Sequence, residues 1–261
     1  MRLLFIGDVV GKPGREGLAG AMPGLREQHL PDLIVVNGEN AGGGVGITPE
    51  TADELFATGA DAITLGNHTY RHREVYSYLD KEARIVRPLN FPDSNPGRGH
   101  MLADAAGMKV AVVNVSGALH LRVERSPFPA IDELLDELSG RADAVVVDFH
   151  AELTSEKVAM GWHLDGRAAA VLGTHTHVPS ADARVLPGGT AHITDVGMTG
   201  SRASVLGVRW EQALEGFRTQ MPQRFETAEE DVWVMGVVVE IGDDGLARSI
   251  EQVMIPASQE T

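Results

Sequence analysis

The sequence has 261 residues, of which 43% are hydrophobic, so it is long enough to bury one sizeable core. Its formal net charge of −15 disfavours binding to duplex nucleic acid, because that binding depends on positive charge that displaces counterions from the phosphates. Cysteine is absent, which excludes disulfides, a thiolate nucleophile and a sulfur-ligated zinc or iron–sulfur site.

Short apolar runs alternate with helical stretches through the first 175 residues, which is typical of an α/β architecture. Several runs are continuously apolar, as strands buried on both faces are. The pattern predicts strands over 2–7, 33–37, 61–65, 83–86, 108–115, 143–149, 167–173, within 183–194, and over 231–241 and 246–255. It predicts a long loop over 87–100 and helices after Gly17 up to His29, from Pro49 behind an N-cap at Thr48, and over 71–80, 131–138, 154–162 and 209–218.

The chain gives no sign of a second domain or of a membrane segment. No polar linker divides it, so we expect a single domain over residues 1–256 with a frayed tail over 257–261. No apolar run reaches the roughly 18 residues that a membrane span needs. The apolar N-terminus is too short for a signal peptide, so we expect a cytoplasmic protein.

Five of the apolar runs end in side chains that can bind a metal ion. These side chains belong to Asp8, Glu39, Asn67, His150, His175 and His177. In parallel sheets, ligands collect beyond the carboxyl ends of the strands. Alternate residues of an extended segment point the same way, so we expect His175 and His177 to face one site. Each group alone could merely cap its strand, but that alternative does not explain why acids, amides and imidazoles recur.

The number of ligands indicates two ions. Three imidazoles, two carboxylates and an amide are too many for one tetrahedral ion, and they suit two adjacent cations bridged by a carboxylate. Imidazole mixed with hard oxygen ligands fits iron, manganese or zinc, and the sequence does not choose among them.

As an ordered set, these residues resemble the signature of the calcineurin-like metallophosphoesterases. The matching blocks are Asp8, Gly38-Glu39-Asn40, Gly66-Asn67-His68, His150 and Gly173-Thr174-His175-Thr176-His177. Two positions depart from that signature, because Val10 stands where a histidine ligand is usual and Glu39 stands for the bridging aspartate. With Gly7-Asp8-Val9-Val10-Gly11 and Asp195-Val196-Gly197-Met198-Thr199-Gly200, the variant is similar to the YmdB-like branch of bacterial proteins.

The resemblance implies a four-layer α/β/β/α metallophosphoesterase sandwich and a dimetal cyclic-nucleotide phosphodiesterase, often a homo-oligomer. Its expected substrates are small cyclic nucleotides, the 2′,3′-cyclic kind favoured over the 3′,5′-cyclic kind, cleaved by metal-bound hydroxide attack on phosphorus. It assigns Asp8, Asn40 and His177 to one ion, Asn67, His150 and His175 to the other, and Glu39 to a bridge. Val10 leaves the full ligand set of the first ion open.

His68 is the candidate general acid, because cleavage of a ribose phosphodiester expels a sugar alkoxide that needs a proton. Its alternative role is a hydrogen bond to the strand end. Two other functions stay open: a broader phosphomonoesterase or RNA-directed nuclease, and a regulatory nucleotide-binding protein with little turnover. Arg122, Arg125 and Arg202 are weaker candidates for contacts with a nucleotide phosphate.

Overall fold

The structure, a computed structural model, describes residues 1–257. The strands are β1 Arg2–Ile6, β2 Asp8–Val9, β3 Leu33–Asn37, β4 Ala62–Thr64, β5 Ile85–Val86, β6 His100–Ala105, β7 Met108–Ser116, β8 Ala144–His150, β9 Ala170–Thr174, β10 Arg184–Val185, β11 Ala191–Ile193, β12 Met198–Ser201, β13 Val232–Ile241 and β14 Ala247–Pro256. The helices are α1 Gly11–His29, α2 Pro49–Ala57, α3 Tyr76–Lys81, α4 Pro127–Leu138, α5 Thr154–His163 and α6 Trp210–Thr219, with a 3₁₀ turn at Arg73–Val75.

The strands form two sheets. The first has eight strands in the order β2-β12-β13-β1-β3-β4-β5, with β14 also paired to β13. Strands β1, β3, β4 and β5 are parallel, and β13 runs antiparallel to β1 and β14. The second sheet has six strands in the order β10-β11-β9-β8-β7-β6. Its four central strands are parallel, and β6 and β10 pair antiparallel at its edges.

The two sheets pack face to face between outer layers of helices. Alternate residues of β1 serve different cores: Leu3 and Phe5 belong to the cluster between the sheets, whereas Leu4 and Ile6 belong to the cluster that includes Leu18 of α1. A third cluster joins the outer face of the second sheet to α4 and α5. The molecule therefore has the predicted α/β/β/α order of layers.

Three helices begin away from their predicted positions. Helix α1 begins at Gly11, not after Gly17, because its glycines allow close contact with the first sheet: a Cβ on Gly14 would lie 2.4 Å from the carbonyl oxygen of Thr199. Helix α4 begins at Pro127, where a proline suits the first helical turn, rather than at residue 131. The predicted helix over 71–80 is a 3₁₀ turn followed by the short α3.

Several strand predictions were also inaccurate. The sequence pattern predicts neither β6, a half-exposed edge strand without strict alternation, nor β12, whose buried segment Met-Thr-Gly-Ser is too polar to indicate a strand. The region 183–194 holds two short strands, β10 and β11.

The backbone of the last described residue is still hydrogen-bonded to β13. Ala257 donates its backbone N–H to Val232, and residues 258–261, the rest of the predicted frayed tail, lie outside the described part. No described helix is long and apolar enough to cross a membrane.

Candidate metal centre

The carboxyl ends of β1, β3 and β4 from one sheet meet those of β8 and β9 from the other. At this edge the structure brings together all of the predicted site residues, which are Asp8, Glu39, Asn40, Asn67, His68, His150, His175 and His177. Asp8, Glu39 and His150 are fully buried. Both sheets therefore contribute side chains to one cluster, with the acids and amides from the first sheet and three imidazoles from the second.

One group of donors surrounds Asp8. The Nε2 atom of His177 lies 3.7 Å from Asp8 Oδ1 and 3.1 Å from the side-chain amide nitrogen of Asn40. The other carboxylate oxygen of Asp8 accepts the backbone N–H of His175 at 3.1 Å. The side chains of Asp8, Asn40 and His177 are the ones that the resemblance assigns to the first ion.

A second group surrounds His150. Its Nε2 atom lies 3.0 Å from Asn67 Oδ1 and 3.0 Å from Glu39 Oε1. The His150 and His175 rings are 4.7 Å apart, and Glu39, His150 and His175 offer ligand atoms that lie within 4.8 Å of one another. These are the side chains that the resemblance assigns to the second ion, with Glu39 beside them.

The chemistry of the donor set fits metal ions. Among the described residues, Asp8 Oδ1 and Glu39 Oε1 are buried oxygen atoms that accept no well-directed hydrogen bond, although histidine nitrogens lie 3.7 Å and 3.0 Å from them respectively. Such atoms are costly to bury, and a cation would satisfy them. Imidazole nitrogens and carboxylate and amide oxygens are ligands that iron, manganese and zinc share. The residues present therefore fit the predicted dimetal centre.

Burial and charge act against each other at this cluster. Burial raises the pKa of Asp8, and the nearby His177 and His150 offset it only in part. Burial also acts to raise the pKa of Glu39, but His150 and His68 outweigh it and hold that pKa well below its usual range. For His150, burial opposes the charged form, yet Glu39 and Asp8 raise its pKa to about 9. The same concentration of negative charge favours a divalent cation.

The two histidines after β9 do not lie on an extended segment, contrary to our expectation. Strand β9 ends at Thr174, and His175 and His177 have φ angles of 90° and 65°, in the left-handed region. Both rings still reach the cluster, but they approach different donors, His150 and Asp8 respectively. Burial and the charge of His150 lower the pKa of His175 to about 3, which keeps this imidazole neutral.

His68 lies at the rim of the cluster with 37% of its side chain exposed. Its Nδ1 atom is 3.2 Å from both Glu39 Oε1 and Asn40 Oδ1, and its backbone N–H donates to Glu39 Oε2 at 3.1 Å. The contacts to Nδ1 favour a proton on that nitrogen, which leaves Nε2 free to face a substrate.

The side chains that fix the orientation of His150 were not predicted from the sequence. The Thr174 hydroxyl donates to Asp148 Oδ1 at 2.6 Å and lies 2.9 Å from His150 Nδ1, while Asn37 donates to the other oxygen of Asp148. A partner on Nδ1 leaves Nε2 available as a ligand atom. The available signal was Asp148 itself, a charged residue inside an apolar strand and two positions before His150.

Glu152 was not predicted from the sequence either. The Oε2 atom of Glu152 is 3.0 Å from His175 Nε2.

Two of the arginines considered for contacts with a nucleotide phosphate lie elsewhere. Arg125 pairs with Glu133, and Arg202 lies over the ring of Trp233, so neither is directed at the cluster.

Val10 does not contribute a side chain to the cluster. It is buried, its backbone N–H donates to Thr199, and its side chain packs near Gly207. In this region the side chain of Asn40 lies beside His177, with its amide nitrogen 3.1 Å from His177 Nε2.

Residues 4–253 match the model of a family described as YmdB-like protein. The chain belongs to this family. A relative from Bacillus subtilis (strain 168), described as a 2′,3′-cyclic-nucleotide 2′-phosphodiesterase, is 46% identical over 256 residues, 98% of this chain and 97% of the relative. The YmdB-like assignment agrees with the resemblance that the sequence motifs indicated.

Several solved structures share the fold of this YmdB-like chain. A hypothetical protein from Thermus thermophilus superposes with a TM-score of 0.93 at 41% identity, covering 99% of this chain and 100% of the other. A structure described as a novel phosphatase from Mycoplasma pneumoniae gives 0.92 at 34% identity, with coverages of 100% and 95%. A 5′-nucleotidase precursor from Thermus thermophilus gives 0.58 at 13% identity, covering 98% of this chain and 54% of the other, which shows a shared fold alone.

Proposed function

We propose that this YmdB-like protein is a metal-dependent phosphodiesterase that opens small cyclic nucleotides, with the 2′,3′-cyclic kind preferred. The observation that carries the proposal is the pairing of two donor groups, around Asp8 and around His150, with buried Glu39 and the partly exposed rim residue His68 beside them. The activity named for the Bacillus subtilis relative supports the choice of substrate. A pure binding protein would need no proton donor beside the metal ligands.

Each of the two groups of side chains would hold one ion. Asp8, Asn40 and His177 would bind one, Asn67, His150 and His175 the other, and Glu39 would bridge them, with iron, manganese or zinc as the metal. When bound, two such cations lower the pKa of coordinated water to about 7 and neutralise charge on the phosphoryl oxygens.

His68 would act as the general acid. The contacts of its Nδ1 atom with Asn40 Oδ1 and Glu39 Oε1 orient the ring, and Nε2 would donate a proton to the sugar oxygen as its bond to phosphorus breaks. Since the ring is partly exposed to solvent, it can be protonated again from water after each turnover.

A panel of four substrates tests the proposal. Protein loaded in turn with Mn²⁺, Zn²⁺ or Fe²⁺ is incubated with 2′,3′-cyclic AMP, 3′,5′-cyclic AMP, AMP and single-stranded RNA, and products are separated by chromatography. We expect turnover of the 2′,3′-cyclic diester above all. Glu39→Gln, purified in the same way, serves as the control for contaminating activity.

Other outcomes would contradict the proposal in distinct ways. Release of phosphate from AMP would favour the phosphomonoesterase, and cleavage of RNA the nuclease. Tight nucleotide binding without turnover under any metal would favour the regulatory protein.

We also propose that residues 1–256 form a single domain that works in the cytoplasm as a homo-oligomer. The domain proposal is supported by the cluster itself, which takes side chains from both sheets. The assembly is an implication of the family resemblance. Sedimentation velocity at micromolar concentration tests it, and a monomer at every concentration would contradict it.

A further inference from the structure

The loop that carries His175 and His177 has an unusual backbone. Both residues have positive φ angles, which residues with a Cβ rarely adopt, and only Thr176 separates them. Two such residues so close together persist only where neighbouring groups hold them. The proposed ligand positions of both histidines depend on this conformation.

Thr176 is held by a carboxylate from another part of the chain. Asp195 Oδ2 accepts both the backbone N–H of Thr176 at 3.1 Å and its hydroxyl at 2.5 Å. The other oxygen of Asp195 accepts the N–H of Gly197 at 2.8 Å, so both carboxylate oxygens are fixed. Thr176 therefore cannot rotate without breaking hydrogen bonds from its backbone and its side chain.

Lys157 completes this arrangement from the outer helix layer. Its Nζ atom donates to Thr176 Oγ1 and to Asp195 Oδ2, each at 2.9 Å. Only 1% of the Lys157 side chain and 2% of that of Asp195 are exposed. Its stem passes Gly173, where a Cβ would lie 3.1 Å from Lys157 Cδ. A fully buried ion pair adds little to stability compared with apolar packing, so its presence beside a strained loop indicates a positional role.

We propose that Lys157, Thr176 and Asp195 form a clamp that positions His175 and His177 for metal binding. The inference rests on the proposed metal centre and adds three residues that lie outside the proposed ligand set. They are positioning residues: the clamp fixes the central residue of the loop, and the two flanking histidines take their directions from it.

Thr176→Val is the sharpest variant, because it removes the hydroxyl, keeps the branched shape and leaves the ion pair of Lys157 and Asp195 intact. Thr176→Ser restores the hydroxyl, and Thr176→Ala is the smaller replacement should valine pack badly. The matched control is Thr190→Val, which removes a hydroxyl that is also bonded within the protein, donated to Ala168 at 2.6 Å, away from the cluster.

The measurement is binding of Co²⁺ alone, followed by its visible absorption, with calorimetric unfolding of the metal-free proteins alongside. We expect Thr176→Val and Thr176→Ala to weaken Co²⁺ binding about 10- to 100-fold and to change the absorption spectrum, with Thr176→Ser within about threefold of the original protein. Thr190→Val should lose comparable thermal stability and keep its Co²⁺ affinity.

Unchanged affinity in Thr176→Val and Thr176→Ala, or an equal loss in Thr190→Val, would overturn the clamp. The proposed function fails separately: an original protein that binds Co²⁺ but opens no cyclic nucleotide would overturn the substrate assignment and leave the clamp supported by its own variants.

Discussion

The Nδ1 atom of His68 contacts Asn40 and Glu39, while the ring is partly exposed to solvent, and these two features lead to a kinetic prediction. His68→Ala should lower kcat for 2′,3′-cyclic AMP about 100- to 10,000-fold, because the sugar oxygen then leaves without a proton. With bis-p-nitrophenyl phosphate the loss should stay below about tenfold, since nitrophenolate needs no proton to leave. Steady-state kinetics on both substrates measure the difference.

The control for that comparison is His163→Ala, which removes a histidine at the end of α5 that contacts Asp132 of α4, in the outer helix layer of the second sheet. It should leave both rates unchanged. Equal losses on the two substrates in His68→Ala would argue for a purely structural histidine.

The Thr174 hydroxyl connects His150 to Asp148, and its removal should weaken the centre. Thr174→Val leaves His150 Nδ1 without its partner and should lower metal affinity about 10- to 100-fold. Competition with a chromophoric chelator measures that affinity. Thr58→Val, which loses a hydroxyl bonded to Leu55 at the end of α2, should bind metal normally. Affinity retained in Thr174→Val would show that Asn67 and Glu39 suffice to orient His150.

At the level of residues, the sequence predicted which side chains meet but not how they are held. Asp8 and His150 could be found because both lie at the ends of apolar strands, and parallel strands deliver their ends to one edge. Lys157 could not be found, because a lysine on an amphipathic helix is ordinarily solvated. Asp195 belongs to a block that resembles the family, but nothing in that block indicates its hydrogen bonds to Thr176. The left-handed backbone of His175 was also out of reach, since nothing in a His-Thr-His sequence favours positive φ.

Among the elements, the end of β4 leaves little room for change beside the cluster. A Cβ on Gly66 would lie 2.2 Å from Glu39 Oε2 and 2.4 Å from His150 Nε2. Gly66→Ala should therefore displace both side chains, lower metal affinity at least about tenfold and cost about 1–3 kcal/mol of stability. Calorimetric titration with Mn²⁺ and thermal unfolding measure the two effects.

Gly24 in α1 provides the matched control for Gly66. A Cβ there meets no atom within 4 Å, so Gly24→Ala should stabilise the protein by about 0.5–1 kcal/mol with no effect on metal binding. Normal Mn²⁺ affinity in Gly66→Ala would mean that Glu39 has more freedom than its contacts indicate.

Elements could be predicted where local signals agreed with tertiary packing. Helix α2 begins as expected, because Thr48 accepts from Thr51 and Pro49 occupies the first turn. Strand β12 has no such signal: it has one apolar side chain, that of Met198, and it exists because it lies between β2 and β13. The start of α1 was misplaced because glycine, a poor helix former, is required there by contact with the sheet.

For the molecule as a whole, the site joins two sheets, so occupied metal sites should stabilise the entire fold. Ion at 100 times its Kd adds about 2.7 kcal/mol to the free energy of unfolding, which corresponds to a rise in Tm of about 5–10 °C. Differential scanning calorimetry with Mn²⁺, and again after EDTA, measures the rise and its reversal. Asp8→Asn combined with His150→Ala should abolish the response. An equal rise in that double variant would place the stabilising ion elsewhere.

Strand β1 pairs with β3 on one side and with β13 on the other, in a register that matches Arg2 with Glu240. During synthesis on the ribosome, one edge of β1 therefore stays unpaired until β13, Val232–Ile241, has emerged. Such distant pairing slows folding and leaves an unpaired strand edge exposed meanwhile. A nascent chain that stalls before β13 would present this apolar edge to other chains, and premature termination should therefore yield aggregated rather than soluble fragments.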